Sequence, residues 1–183
     1  MAAEDLQEIV RALESVGTGS GARLLDLCAD SPVLLVFLRH AGCTFCREAL
    51  SDLAAQRISI QSAGTRIVLV HMGDSEAILS LLQKHDLEDL DCIRDDNQTL
   101  YRAFGLQRGT LAQLFGPKVL WRSFGEGAVF RHGVALQQAD GFQMPGVFLL
   151  DPTGIVRRFR HRSAADRPDY VNIVIQPVTA AGE

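Results

Sequence analysis

Val33-Leu34-Leu35-Val36-Phe37-Leu38-Arg39-His40-Ala41-Gly42-Cys43-Thr44-Phe45-Cys46 is the stretch that decides how this chain is read. Ser31-Pro32 breaks the chain just before it. A short, branched apolar run after such a break predicts a strand buried on both faces, as in a parallel sheet. Arg39-His40-Ala41-Gly42 is then the turn, and residues 43–56 predict a helix with Phe45, Leu50 and Leu53 inward. This order puts Cys43 near the helix N-terminus, where unpaired backbone N–H groups and the positive end of the dipole favour a thiolate over a thiol. Cys46 is close enough to resolve a disulfide with it. Arg39, His40 and Arg47 flank the pair, and any of them pointing inward lowers a thiol pKa further. A low pKa beside a second thiol suits reversible oxidation.

Outward from that stretch, Leu6, Ile9, Val10 and Leu13 form one apolar stripe of a short helix over about residues 4–16, ended by Gly17-Thr18-Gly19-Ser20-Gly21. Leu24, Leu25 and Leu27 resume an apolar face. Downstream, Ile67-Val68-Leu69-Val70 reads as a second buried strand, and Asp74 or Ser75 can cap a helix over about residues 76–85. Cys92-Ile93-Arg94-Asp95 reads as a short strand and residues 97–104 as a short helix. The alternation is that of an α/β sheet with right-handed crossovers. The rhythm fails over residues 105–143, which read as an inserted, partly helical segment. Val147-Phe148-Leu149-Leu150 and Ile155-Val156-Arg157-Arg158-Phe159 then form a hairpin about Asp151-Pro152-Thr153-Gly154. Residues 171–178 are β-branched and read as an edge strand or a terminal packing segment, and residues 179–183 as frayed.

The 183 residues suit one compact domain, and 47% apolar with 22% charged residues is an ordinary globular composition. No apolar run approaches the ~20 residues that span a bilayer, so no membrane association is expected. Glu4, Asp5, Glu8 and Glu14 occupy the region where an export signal needs positive charge. Four cysteines are too few for a secreted disulfide scaffold, so a reducing, cytoplasmic location is expected. A net charge of −4 offers no general attraction for nucleic acid.

A Cys-x-x-Cys can also be half of a zinc site, but Cys28 and Cys92 form no second pair and no His-x(3-5)-His occurs. No metal or cofactor is therefore expected, and Cys28 and Cys92 are expected in the core. His71 and Asp74 fall at the end of the second strand, as candidate proton-transfer groups or as a loop histidine and a helix cap. Arg102, Arg108, Lys118, Arg122 and Arg131 accompany Phe115, Trp121, Phe124 and Phe130, which reads as a solvated basic face over an aromatic cluster. His161 and Arg162 read as surface residues beyond the hairpin.

Phe37-Leu38-Arg39-His40-Ala41-Gly42-Cys43-Thr44-Phe45-Cys46-Arg47-Glu48, Tyr101-Arg102-Ala103-Phe104-Gly105-Leu106, Gly116-Pro117-Lys118 and Gly146-Val147-Phe148-Leu149-Leu150-Asp151-Pro152-Thr153-Gly154 resemble the peroxiredoxin-like branch of the alkyl hydroperoxide reductase and thiol-specific antioxidant (AhpC/TSA) superfamily. The likeness covers about residues 24–165. It implies an α/β, thioredoxin-like fold: a central mixed sheet flanked by helices, in a single domain over 1–183. An N-terminal helical extension (1–23) would precede the core (24–165), with the insertion (105–143) before a cis-proline loop. It also implies Cys43 and Cys46 as a redox pair and Pro145 as the cis-proline. Thr44, Arg39, His40, Arg47 and His71 complete the expected site.

The expected function is a thiol-disulfide oxidoreductase or peroxiredoxin-like antioxidant protein. Its substrate would be a peroxide or a disulfide, and its reductant a thiol such as thioredoxin, glutaredoxin or glutathione; a homodimer is compatible. The alternative is a non-catalytic binding or redox-sensing module. One departure stands out. The family's Pro-x-x-x-Thr-x-x-Cys peroxide pocket is missing: counting from Cys46 puts Cys43 at the Thr position and Arg39 at the Pro position, and counting from Cys43 puts His40 and Val36 there.

Overall fold

In a computed structural model, which describes residues 3–110, 113–114, 116–121 and 142–176, Val33–Phe37 forms β1, the middle strand of a five-stranded sheet. β1 pairs in parallel with β2 (Arg66–His71), and β2 in parallel with β3 (Asp91–Arg94). On its other side β1 pairs antiparallel with β4 (Gly146–Asp151), which forms the expected hairpin with β5 (Gly154–Arg160). The strand order is β3-β2-β1-β4-β5, a mixed sheet.

Every residue of β1 is buried because helices cover both faces of the sheet. Val33, Leu35 and Phe37 pack with residues of α1 (Ala3–Ser15), α2 (Leu24–Asp30) and α5 (Thr99–Ala103). Leu34 and Val36 point the other way, to α3 (Thr44–Ser62), α4 (Ser75–Gln83) and α7 (Tyr170–Ile175). A short α6 (Pro117–Leu120) lies between α5 and β4 in the chain. On the first face the Phe37 ring stands 5.0 Å from Tyr101, 5.3 Å from Phe104 and 5.6 Å from Phe148. The Tyr101 hydroxyl donates to the carbonyls of Leu38 and Val70, tying together the ends of β1 and β2 where the chain turns toward the cysteines.

Gly146 shows how tightly β4 enters this packing. A Cβ there would lie 2.7 Å from Leu106 Cδ2 and 3.1 Å from Phe148 Cε2. Gly146→Ala is expected to cost about 1–3 kcal/mol, the usual penalty of overpacking, and denaturant unfolding should show it as a lower midpoint at an unchanged slope.

Three expectations change. The helix after the cysteines runs to Ser62 rather than to residue 56, because Ile60 continues the buried face and the chain leaves the helix only at Gly64, with φ 75°. Tyr170–Ile175 is not an edge strand but a terminal packing segment in helical form: Asp169 accepts from Asn172 N at 3.0 Å at its N-terminus, and Tyr170 is buried in the core shared with α3. A local cap and packing thus override β-branched propensity. Finally, the Met144–Pro145 peptide is not cis. Gln143 bridges antiparallel to Arg108, Met144 N donates to Gln107 O at 3.2 Å, and this extended segment leads straight into β4. A trans bond suits that path and is the default for X-Pro by about 0.5–1 kcal/mol. Phe115, Arg122, Phe124, Phe130 and Arg131 of the expected basic-aromatic face, and residues 179–183, lie outside the described residues.

Candidate redox site

Cys43 is the N-cap residue of α3 and Cys46 sits in its first turn. The preceding turn is braced from within: Cys43 N donates to His40 O at 3.1 Å, and Arg47 Nε donates to Ala41 O at 3.1 Å. Thr44 is buried at the first helical position. The sulfurs lie under the surface, Cys43 at 5% and Cys46 at 4% exposure, and both are free thiols.

Arg39 addresses both sulfurs. Its backbone N–H donates to Cys46 Sγ at 3.2 Å, and its guanidinium Nη2 donates to Cys43 Sγ at 3.0 Å. A hydrogen bond from the Cys46 thiol holds the Cys43 pKa well below the ordinary thiol value; burial opposes this, and the Arg39 charge reinforces it. The same hydrogen bond to Cys43, together with burial, pushes Cys46 well above that value. The two shifts agree in direction: Cys43, beside a permanent cation, is the more acidic thiol of the pair, and Cys46 is the one that keeps its proton.

A cavity opens onto both sulfurs, walled by Arg39, Phe45, Pro145, Val147, His161 and Tyr170 among others. It leaves about 20 Å³ to the centre of a water-sized molecule, roughly what one or two waters need on that measure. The expected site residues thus separate. Arg39 and Pro145 line the cavity with the two cysteines, while Arg47 braces the turn. His40 is buried beside Cys43, and burial lowers its pKa. His71 opens instead onto a separate groove with Thr18, Ser75, Cys92 and Arg94, and Asp74 caps α4 by accepting from Glu76 N at 2.9 Å. Cys28 is buried and Cys92 half-buried, and burial pushes each thiol up to about 11. Among the described residues no three His, Cys, Asp or Glu side chains gather as a metal site.

Two features were not legible in the sequence. His161 is not a surface residue but part of the cavity wall. Register explains it: β1 pairs Phe37 with Gly146, and β4 pairs Gly146 with Arg160, so the residue after β5 arrives at the edge where the cysteine turn begins. Asp52, buried on α3, is clasped by both Nε and Nη2 of Arg167. This pins down the C-terminal segment whose Ala164 and Tyr170 close the cavity.

No helix among the described residues is long and apolar enough to cross a membrane. The model of the AhpC/TSA antioxidant enzyme family matches residues 52–165, more than half of the chain and just downstream of the cysteine pair. The chain is 28% identical over 110 residues to prostamide/prostaglandin F synthase of Salmo salar, covering 60% of this chain and 54% of that protein. It is 24% identical over 143 residues to the chloroplastic thioredoxin-like protein AAED1 of Arabidopsis thaliana, covering 73% and 56%. The chain thus spans little more than half the length of these curated relatives. Among solved structures, peroxiredoxin Q of Xanthomonas campestris superposes with a TM-score of 0.56 at 16% identity, over 82% of this chain and 83% of that one. Peroxidoxin BcpB of Mycobacterium tuberculosis gives 0.56 at 15% identity, over 81% and 82%. Those likenesses concern the fold, and the family model concerns descent; together they say that the chain belongs to the AhpC/TSA antioxidant enzyme family and has a thioredoxin-like fold.

Proposed function

We propose that the chain is a thiol-disulfide oxidoreductase in which Cys43 attacks and Cys46 resolves. The observation that carries this reading is the Arg39 guanidinium, which donates to Cys43 Sγ at 3.0 Å, beside a Cys46 thiol that donates to the same sulfur. A thiolate at Cys43 attacks a peroxide oxygen, giving a sulfenic acid and an alcohol or water, or attacks a disulfide sulfur, giving a mixed disulfide and a thiol. Cys46 then displaces hydroxide or thiolate from Cys43 to close the intramolecular disulfide. An external thiol such as thioredoxin, glutaredoxin or glutathione returns the two electrons. The cavity admits a small reacting end, a hydroperoxide group or one sulfur, and a bulkier substrate requires the walls to part. The missing Pro and Thr of the peroxide pocket favour the disulfide route, which needs only two thiols and a reachable partner. A single domain over 1–183, acting in the cytoplasm and compatible with a homodimer, belongs to the same reading.

Rapid mixing of the fully reduced chain with one equivalent of hydrogen peroxide or of oxidised glutathione, followed by acid quench, alkylation and peptide mass mapping, tests it. The expected product is a Cys43–Cys46 disulfide, reopened by a dithiol, with Cys28 and Cys92 still alkylatable. If all four cysteines remain alkylatable with both oxidants, the reading fails. Burial of both sulfurs is the observation that favours the alternative, a redox-sensing module. Stoichiometric oxidation without repeated turnover would select it.

A further inference from the structure

Once Cys43 is oxidised, its negative charge is gone and so is the main influence holding the proton on Cys46. Cys46 must still lose that proton as it attacks, and the atom leaving Cys43 must gain one. The groups facing this event come from every side of the cavity: Arg39 from the turn after β1, the two cysteines from α3, Pro145 before β4, His161 after β5, and Tyr170 from α7; His40, from the same turn as Arg39, lies beside Cys43 but is not among the residues lining the cavity. Arg39 is permanently cationic and has no lone pair to offer. Burial pushes the Tyr170 phenol up, so it stays protonated and is a poor acceptor.

His161 differs from both. Its Nδ1 is buried and has no hydrogen-bond partner among the described residues. Its ring is fixed edge-on to Phe159, with centroids 5.1 Å apart. Burial pulls its pKa down to about 4, against the opposing carboxylate of Asp166, and the nearby charge of Arg39 lowers it further. The imidazole is therefore neutral near neutral pH, with a ring nitrogen able to accept. Among the described residues lining the cavity, His161 is the side chain besides the thiols that can both take and release a proton.

We propose that His161 is the proton-transfer residue of disulfide closure, a role that rests on the assignment of Cys43 as the attacking sulfur. As Cys46 attacks, the S–S bond forms and the bond from Cys43 to oxygen, or to the partner sulfur, breaks. His161 takes the proton of Cys46 and passes it to the departing group, which leaves as water or as a thiol. The two electrons stay with the departing group, and no further oxidant or reductant enters. Because the low basicity of His161 makes its protonated form short-lived, the proton moves on to the more basic departing oxygen or sulfur rather than resting on the ring.

Wild type, His161→Gln and His161→Ala, each fully reduced, would be mixed with oxidised glutathione, following the glutathionylated intermediate and its closure separately by quenched mass spectrometry. Expected for both variants is an unchanged Cys43 thiolate titration and an unchanged first step. Closure should be about 10²-fold slower, at the low end of what general acid–base groups contribute, so that the mixed disulfide accumulates. Added imidazole should restore closure in His161→Ala in proportion to its concentration. Closure at the wild-type rate, or slowing of both steps together, overturns the proposal. Should the variants not fold, the solvent deuterium isotope effect on wild-type closure decides: a normal effect supports a proton in flight, and its absence refutes it. If wild type forms no Cys43–Cys46 disulfide with either glutathione or hydrogen peroxide, the proposed function itself falls and His161 with it. A disulfide that closes regardless of His161 removes this inference alone.

Discussion

Cys43→Ser should reduce turnover with any disulfide or peroxide substrate to background, whereas Cys46→Ser should leave one rapid, stoichiometric oxidation and stop there. The asymmetry follows from the site. Cys43, under the Arg39 guanidinium, has its pKa lowered, and Cys46 has its pKa raised. A serine hydroxyl at position 43 has no comparable acidity and cannot be the nucleophile, so the loss should exceed about 10³-fold, the scale seen when a nucleophile is removed. In Cys46→Ser the attacking sulfur survives but nothing displaces the group it has bound, and a sulfenic acid or mixed disulfide should be trapped on Cys43. Mass mapping after a single turnover distinguishes the two. Trapping on Cys46 in Cys43→Ser at a wild-type rate would reverse the assignment.

Arg39→Met should raise the Cys43 pKa by removing the opposite charge beside the sulfur, and slow the first step near neutral pH by about 10- to 100-fold. The sign of the pH dependence follows directly. In wild type the Cys43 thiolate persists as pH falls below the ordinary thiol range, so the first step should keep its rate there. In the variant the rate should climb with pH toward the ordinary thiol value of about 8.5 and approach wild type on the alkaline side. Thiolate absorbance and alkylation rate against pH measure this without reference to substrate. Arg39→Lys should fall between, keeping the charge but losing the planar guanidinium donor that reaches Cys43. An unchanged titration in Arg39→Met would mean that the Cys46 hydrogen bond and the helix N-terminus suffice alone.

The core of the fold could be read because its patterns are local. The run from Val33 to Leu38 is apolar at every position, short and bounded by Ser31-Pro32, which suits a strand covered on both faces; it emerged as the centre of the sheet with five buried residues. Of Asp74 and Ser75, both offered as caps, Asp74 caps α4. The hairpin around Pro152 and Gly154 formed where turn chemistry put it. Pro145 shows the opposite case. A resemblance suggested a cis bond, but the bridge from Gln143 to Arg108 and the hydrogen bond from Met144 to Gln107 settle an extended approach, and both partners lie about thirty-five residues upstream in the sequence. Of the two readings open for residues 171–178, the edge strand drawn from β-branched content did not form, and Tyr170–Ile175 is a terminal packing segment because Asp169 and the seat of Tyr170 against α3 made a helix.

The sequence by itself determined that Cys43 and Cys46 stand at the start of a helix fed by a buried strand, since a strand, a turn and a helix N-terminus are specified by neighbouring residues. Which charges and bases face those sulfurs was decided only by the tertiary structure. Arg39 was one of three flanking cations in sequence, and the conformation of the turn gave it both sulfurs while Arg47 went to the Ala41 carbonyl. His71 lies at the end of the neighbouring strand yet opens onto another groove, and His161, more than a hundred residues away, reaches the cavity through the paired registers of β1, β4 and β5. The physical reason is range: hydrophobic periodicity and helix capping act between adjacent residues, whereas the electrostatics of a buried site depend on contacts that exist only after the sheet has closed.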